Sequence, residues 1–263
     1  MEETIEIKAI PSDDFFLDFI ARTNKISIDW GDGVNWTVTS NGTPQLYSHR
    51  YANKGEVTVT IKAESITLFD MSMRHSTWAI LELAFKDCPD LKRIDCCLFN
   101  NMHRLEVKGL SALESLNCSY NKITSLDVSE CVNLKTLNCV SNELRRLNVS
   151  KNRMLEKLNC ANNLQINRLN LRNNHALREL DCEGLRLREL DISNNPKLSK
   201  LRAAIRGLMS LDISKNFELA SFVLDEYTEI RHTNEVESVK YDGYQYSKEA
   251  FEKYVEARQS RIN

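Results

Sequence analysis

Apolar residues occupy alternate positions in short runs that return at a nearly constant step along the middle of the chain. Six copies of one run extend from LKRIDC (91–96) to LSKLRA (198–203), and LASFVL (219–224) is a degenerate seventh. Their second apolar positions are 21 or 22 residues apart, at Ile94, Leu116, Leu137, Leu158, Leu180, Leu201 and Phe222. Alternation predicts strands with one face turned inward. Self-similarity at this step is typical of a solenoid, in which each turn buries its apolar edge against its neighbours.

A second set of apolar runs lies between the first ones, from LEV (105–107) to LDI (211–213). Cys96 and Leu105 are nine residues apart, whereas Cys118 and Leu126 are eight apart, so the longer turns carry their extra residue in this loop. The spacing leaves little room for a helix. We therefore predict that each turn consists of two short extended segments joined by tight corners, and that the turns stack as parallel strands.

The combined pattern of leucine, cysteine and asparagine resembles the leucine-rich repeat, in particular the short bacterial variant with a cysteine ladder seen in some internalins. The resemblance covers about residues 65–224. Asn121, Asn142 and Asn163 stand three residues after their cysteines. The resemblance implies that they are buried and bind the backbone of a corner, which satisfies groups that a tight coil would otherwise strand. A second column, for which we predict the same structural role, contains Asn152, Asn174, Asn195 and Asn216.

The chain contains eight cysteines, and five of them share one inward column with Ala203 and Leu224: Cys96, Cys118, Cys139, Cys160 and Cys182. A free thiol behaves as a small apolar group, which is why alanine and leucine can replace it in such a column. The sequence has no C-x-x-C pair and no cysteine–histidine spacing typical of zinc. We therefore predict buried, reduced thiols and no metal site, with Cys97 as the one exposed thiol.

The two ends of the chain differ from the repeat. Residues 1–64 contain alternating β-formers separated by glycine-rich turns, which predicts a small antiparallel β-sandwich. Within them, IDWGDG (28–33) and HRY (49–51) resemble the PKD-type immunoglobulin-like domain. We interpret the GDG sequence as a turn rather than a calcium or phosphate loop. Residues 225–263 are predicted to form a capping segment with a terminal helix that begins at Ser247.

The predicted fold class is therefore mainly β: a small N-terminal sandwich (1–64), a leucine-rich-repeat solenoid with a parallel β-sheet (65–224), and a C-terminal α/β cap (225–263). The charged residues nearly balance, with a net charge of −2, which gives no overall attraction to nucleic acid. No apolar run reaches the roughly 18 residues of a membrane span. The first ten residues do not resemble a signal peptide. We expect a cytoplasmic protein as written, or an exported or cell-surface protein if the sequence is a mature form.

Candidate chemistry is sparse, because the five histidines are scattered and none lies in a catalytic or phosphate-binding motif. We predict no enzyme activity and no cofactor. Instead, the predicted function is binding of a protein partner through the outward face of the solenoid sheet. The candidate residues on this face are Asp95, Asn117, Asn138, Lys157, Asn159, Glu179, Asp181, Glu183, Lys200 and Arg202.

Two alternatives remain at this point. The first is a carbohydrate-binding adhesin, with a glycan site on the sandwich at Trp36, Tyr47 or Tyr51. The second is a degradative enzyme, for which the sequence offers no catalytic set. On the solenoid face, Glu179, Asp181 and Glu183 are followed one turn later by Lys200 and Arg202. This arrangement suggests a partner held in register by opposite charges.

Overall fold

The computed structural model describes residues 3–10, 16–52, 55–72, 79–225, 228–230, 238–241 and 244–247. In these ranges the secondary structure is strand and turn, without a helix. The predicted terminal helix lies outside the described residues, apart from Ser247, which ends a strand. The prediction of a mainly β chain is thus confirmed for the part that the structure describes.

Short strands dominate this part of the chain. They are β1 (Glu3–Ile10), β2 (Phe16–Arg22), β3 (Lys25–Asp29), β4 (Asn35–Thr39), β5 (Gln45–Arg50), β6 (Val57–Glu64), β7 (Leu68–Asp70), β8 (Ala79–Lys86), β9 (Arg93–Asp95) and β10 (Arg104–Glu106). They continue with β11 (Ser115–Asn117), β12 (Thr136–Asn138), β13 (Lys157–Asn159), β14 (Glu179–Asp181), β15 (Lys200–Ala203), β16 (Ser210–Leu211), β17 (Ser221–Leu224), β18 (Glu229–Ile230), β19 (Ser238–Tyr241) and β20 (Tyr244–Ser247).

Two large sheets contain nearly all of these strands. One has six strands in the order β10-β8-β1-β6-β3-β4. The other has twelve strands in the order β20-β19-β17-β15-β14-β13-β12-β11-β9-β7-β2-β5. The N-terminal strands pair antiparallel, as β1 does with both β6 and β8. The solenoid strands of the twelve-stranded sheet pair parallel from β7 to β19.

Strands β7 and β8 join the antiparallel and parallel regions. Strand β7 pairs antiparallel with β2 on one side and parallel with β9 on the other. Likewise, β8 pairs antiparallel with β1 and parallel with β10. The ring of Phe69 in β7 lies 5.3 Å from Phe19 and 5.5 Å from Phe85, so the two sheets share one apolar core here. A PKD-type sandwich that ends at residue 64 stays a prediction, because strands on both sides of this position belong to the same sheets.

The first apolar runs form the stack that their spacing predicts. Leu116 in β11 lies opposite Leu137 in β12, and Leu137 lies opposite Leu158 in β13. Each of these leucines is buried. A step of one turn therefore places equivalent residues side by side along the sheet, about 4.8 Å apart. The β-solenoid prediction is confirmed for these runs.

The second apolar runs behave differently in the middle turns. Only 104–106 and 210–211 are strands, whereas 126–128, 147–149, 169–171 and 190–192 have no strand structure. Leu126 and Val128 still point inward around the exposed Asp127. The backbone N–H of Ser129 binds the Oδ1 of Asp127 at 3.0 Å instead of a neighbouring turn. The prediction that the second runs also stack as strands was therefore wrong for these four turns, although their apolar residues still point inward.

The cysteine column lies inside the core. All five of its thiols are free and have no exposed surface. Burial raises their pKa well above the usual range for cysteine. Cys97 is half-buried, and burial raises its pKa to about 11. Since the thiolate is the reactive form, these thiols pack the core and are not activated for chemistry.

The segment after Leu224 extends the stack. Strand β19 pairs parallel with β17 and forms an antiparallel pair with β20. Strand β18 pairs with β16 on the other side of the coil. The role of residues 225–263 as an α/β cap stays a prediction.

Candidate functional site: the outward face of the solenoid sheet

The register of the twelve-stranded sheet places the candidate residues together. Asn117, Asn138 and Asn159 stand in one row, one residue per turn. Asp95 and Asp181 continue this row at its two sides, and Arg202 follows Asp181. The adjacent row contains Lys157, Glu179 and Lys200. The columns predicted from the repeat step therefore share one face.

The asparagine row has a structural role that its sequence pattern does not predict. The Oδ1 of Asn138 accepts the backbone N–H of Val140 at 3.3 Å, and the Oδ1 of Asn159 accepts that of Ala161 at 3.2 Å. Asn117 and Asp181 make the same bond two residues ahead. One side-chain oxygen of each residue is thus committed to the bend that follows the strand.

The amide nitrogens of this row differ in their partners. The Nδ2 of Asn117 donates to the Oδ1 of Asp95 at 3.0 Å. In contrast, the Nδ2 groups of Asn138 and Asn159 have no partner among the described residues, and both side chains are partly exposed. Two neighbouring turns therefore present unpaired hydrogen-bond donors on the face.

The charged candidates are paired with one another. Glu179 accepts from the Nζ of Lys157 at 3.0 Å and lies 3.4 Å from the Nζ of Lys200. The hydrogen bond from Lys157 lowers the pKa of the Glu179 carboxyl. Arg202 reaches the Oδ2 of Asp181 at 3.3 Å and the Oε2 of Glu183 at 2.5 Å. The six charges therefore neutralise one another within the chain and leave little free charge for a partner.

The residues of this face differ in how accessible they are. A shallow groove crosses β12 to β15 and is lined by Asn138, Asn159 and the charged pairs. The next row contains smaller side chains. However, Ser119, Val140 and Ala161 are at most 8% exposed, so they add almost no contact surface. The accessible part of the groove is formed by the two asparagines and the ion pairs.

Two of the three residues of the alternative glycan site are buried. Tyr47 and Tyr51 are 4% and 3% exposed. The Oη of Tyr51 donates to the backbone oxygen of Trp30 at 2.7 Å, and burial raises the pKa of this phenol. Only Trp36 remains exposed, with its ring edge-on to Trp30 at 5.2 Å. The two tyrosines belong to the core because they alternate with outward residues on β5 and just beyond it.

The GDG turn is explained by backbone geometry. Gly31 has a φ of +78°, and an added Cβ would lie 2.4 Å from the backbone oxygen of Thr58. Asp32 holds the Nε2 of His49 at 2.7 Å, which fixes the turn against β5. The interpretation as a turn is confirmed.

Among the described residues, no group of three or more histidine, cysteine, aspartate or glutamate side chains is arranged to hold a metal ion. Within the same residues, no helix is long and apolar enough to cross a membrane.

The chain matches no protein-family model and no curated protein. Among solved structures, it resembles the functional domain of InlJ from Listeria monocytogenes, which includes a cysteine ladder. The sequence identity is 30%, the TM-score is 0.53, and the match covers 57% of this chain and 34% of that one. An internalin (InlF) from the same organism matches at 18% identity and a TM-score of 0.46, over 56% of this chain and 44% of that one.

A leucine-rich-repeat protein of Leptospira interrogans, LIC12759, matches at 17% identity and a TM-score of 0.37, over 64% of this chain and 53% of that one. The chain spans about a third of the length of the InlJ structure. The similarity to InlJ supports the leucine-rich-repeat fold and the cysteine ladder for the matched part. It does not extend to the PKD-type resemblance of residues 1–64.

Proposed function

We propose that this chain is a non-catalytic protein-interaction module that binds a protein partner on the outward face of the solenoid sheet. The observation that carries the proposal is the pair of unpaired amide donors of Asn138 and Asn159 in the groove across β12 to β15. A hydrogen-bond donor that already has a fixed orientation loses little conformational entropy on binding. The bond from each Oδ1 to the backbone supplies this orientation.

The chemistry of the face defines the partner. The two donors stand one strand apart, about 4.8 Å. They suit a surface that presents carbonyl or carboxylate oxygens at a similar separation. The neighbouring charges are compensated by Arg202 and by the two lysines beside Glu179. Binding would therefore depend on hydrogen bonds and shape more than on net charge, which replaces the expectation of a charge-aligned partner.

The test changes the donors and leaves the fold intact. In the double variant Asn138→Asp/Asn159→Asp, each carboxylate keeps the oxygen that accepts a backbone N–H but replaces the outward donor with an acceptor. The same row already contains Asp95 and Asp181, so the substitution suits the position.

The second runs provide a matched control. Asn148 and Asn170 make the same bond to the backbone two residues ahead, at 3.1 Å in both cases, but they lie on the other side of the coil. The control variant Asn148→Asp/Asn170→Asp adds the same charge there. Both double variants should unfold at temperatures close to that of the unchanged protein.

A partner is first isolated by cross-linking and affinity purification, and its affinity for each variant is then measured by calorimetry. We expect the Asn138/Asn159 variant to bind at least tenfold more weakly, since each lost hydrogen bond is worth roughly 1 kcal/mol and repulsion adds to it. The Asn148/Asn170 variant should bind like the unchanged protein. Equal affinities for both variants, or weaker binding by the control, would reject this face as the binding site.

A further inference from the structure

Among the described residues, strand β4 forms an open edge of the six-stranded sheet. Its described pairing is with β3 alone. The N–H of Trp30 binds the oxygen of Val34 at 3.0 Å, and the N–H of Ser40 binds the oxygen of Asn24 at 2.8 Å. Because hydrogen-bonded pairs alternate in an antiparallel ladder, these two bonds fix which residues of β4 face β3.

The alternation makes every second backbone position of β4 available. Trp36 and Val38 direct their N–H and C=O groups toward β3. Asn35, Thr37 and Thr39 direct theirs away from the sheet, where no hydrogen bond to them occurs among the described residues. A free row of alternating donors and acceptors is a template for one more strand.

Natural edge strands usually carry a feature that blocks such pairing, for example a lysine, a proline or a bulge. The sequence of β4, NWTVT, contains no charged residue and no proline. Its register with β3 runs from Asn35 to Thr39 without a bulge. The edge strand β5 of the other sheet differs, because it contains Arg50.

The apolar side of β4 is also incompletely covered. Trp36 and Val38 lie opposite Ile28 and Ile26, which are buried, so they share the core face of the sheet. Nevertheless, Trp36 is 38% exposed, and the adjacent Val34 is 39% exposed. The core face therefore ends in accessible apolar surface at the open edge.

We propose that a second copy of this chain pairs with β4 as an antiparallel strand, with the two-fold axis at Thr37. The strand has the same order of polar and apolar residues in both directions. In this register, Trp36 of one copy meets Val38 of the other in a non-hydrogen-bonded pair, where side chains lie closest. Thr37 meets its own equivalent, and Asn35 meets Thr39. An aromatic residue beside a β-branched one is a favourable cross-strand pair.

The charges next to β4 are compatible with the same axis. On β3, Asp29 lies beside Asn35 and Lys25 lies beside Thr39. The axis therefore places Asp29 of each copy in the same row as Lys25 of the other copy. No like charges meet across the contact, and this self-match on β4 favours a second copy over an unrelated strand. The contact is separate from the solenoid face and does not depend on its function.

The test uses charge pairs at the axis. Thr37 is exposed and points away from the core, so Thr37→Lys and Thr37→Glu should fold normally. Each variant alone places two like charges directly opposite each other, which opposes pairing. We expect the unchanged protein to dimerise in sedimentation velocity. Each single variant should dimerise at least tenfold more weakly, and an equimolar mixture of the two should recover a heterodimer.

A backbone variant checks the strand pairing itself. Thr37→Pro removes an N–H that faces away from β3, so the β3–β4 ladder stays intact while the new pairing is lost. Its melting temperature should stay close to that of the unchanged protein, and it should be monomeric. Thr37→Val keeps the N–H and should dimerise. The proposal is overturned if dimers survive both Thr37→Pro and the single charge variants. It is also overturned if the unchanged protein is monomeric, and in that case the edge would be open to a different partner.

Discussion

The two corners of the solenoid coil use the same residue in different ways. The cysteine-side corner follows the cysteine column and contains Asn121, Asn142 and Asn163. There, the Nδ2 of Asn142 donates to the backbone oxygens of Cys118 and Cys139 at 3.0 and 3.1 Å. Its Oδ1 accepts the N–H of Ile123 from the preceding turn at 3.0 Å. The buried amides of Asn142 and Asn163 thus bind both oxygens and an N–H of the backbone, as the leucine-rich-repeat resemblance implied. The Oδ1 of Asn121, in the first of these turns, has no hydrogen-bond partner among the described residues.

The opposite corner follows the second apolar runs and contains Asn152, Asn174, Asn195 and Asn216. The Nδ2 of Asn174 donates to the oxygens of Val149 and Asn152 at 3.0 and 2.9 Å. Its Oδ1 is buried and has no hydrogen-bond partner among the described residues, and the other three asparagines share this property. This corner therefore uses the amide as a donor only.

The backbone explains the difference. The cysteine-side corner contains one left-handed residue in each of four successive turns: Tyr120, Ser141, Asn162 and Gly184. In the described turns with an asparagine at the opposite corner, that corner has no residue of positive φ. In two of these turns, the N–H three residues after the left-handed residue, that of Ile123 or of Leu144, donates to the asparagine of the next turn. The opposite corner uses only a side-chain donor, so a cysteine can take the place of an asparagine there. The Sγ of Cys131 donates to the Val107 oxygen at 3.5 Å.

The largest effect should come from Asn163→Ala at the cysteine-side corner. The change removes two donated bonds, to Cys139 and Cys160, and the acceptor of the Leu144 N–H. The Cys160 oxygen and the Leu144 N–H would lose this partner, whereas the Cys139 oxygen keeps its bond from Asn142. Because two buried backbone groups lose a hydrogen bond, the free energy of unfolding should fall by about 3 kcal/mol. Urea denaturation of both proteins measures this difference. A loss below about 1 kcal/mol would show that the corner does not depend on the amide.

Asn174→Ala at the opposite corner should cost less. Two donated bonds disappear, but an unpaired buried oxygen disappears with them, so we expect a loss of about 2 kcal/mol. The two alanine variants are matched in residue type and burial, and the same denaturation experiment compares them. An equal or larger loss for Asn174→Ala would remove the proposed distinction between the corners.

The variant Cys139→Ala tests whether the cysteine-side corner depends on the thiol of the cysteine column. Asn142 and Asn163 bind the backbone oxygen of Cys139, not its sulfur, so these bonds survive the change. We expect only the packing loss of one buried sulfur atom, about 1 kcal/mol. Cys139→Asp should cost several times more, because a carboxyl would be buried without a partner. A similar loss for both variants in thermal unfolding would contradict a packing role.

The sequence predicted the first-run strands correctly because the step of the repeat determines both their spacing and their register. It did not predict the second runs, since Leu126, Asp127 and Val128 alternate like a strand although Asp127 binds the backbone nearby. No periodicity distinguishes these two cases. The local hydrogen bond does not distinguish them either, because Asn138 in a first-run strand binds the N–H two residues ahead just as Asp127 does.

The sequence predicted which candidate residues share one face of the sheet, but not the hydrogen bonds among them. Lys157, Glu179 and Lys200 occupy equivalent places in successive turns, so their alignment follows from the repeat step. Their ion pairs with one another were not predicted, since the charges were expected to meet a partner. The role of Asn138 and Asn159 in the bend has no such signal, because an asparagine on a strand can point its oxygen to solvent or to the backbone. The inward direction of Tyr47 and Tyr51 was available from their alternation with Ser48 and Arg50.

The smallest predicted effect differs in sign between the corners. Ser141 at the cysteine-side corner has a φ of +55°, which glycine adopts without the steric cost that serine pays. Ser141→Gly should therefore stabilise the protein by about 0.5 kcal/mol, after the extra entropy of glycine in the unfolded chain is subtracted. Ser150 at the opposite corner is similarly half-buried and is not left-handed. Ser150→Gly should lower the free energy of unfolding by about 0.5 to 1 kcal/mol. Chemical denaturation measures the change for both variants. If both changes have the same sign, the two corners do not differ in backbone strain.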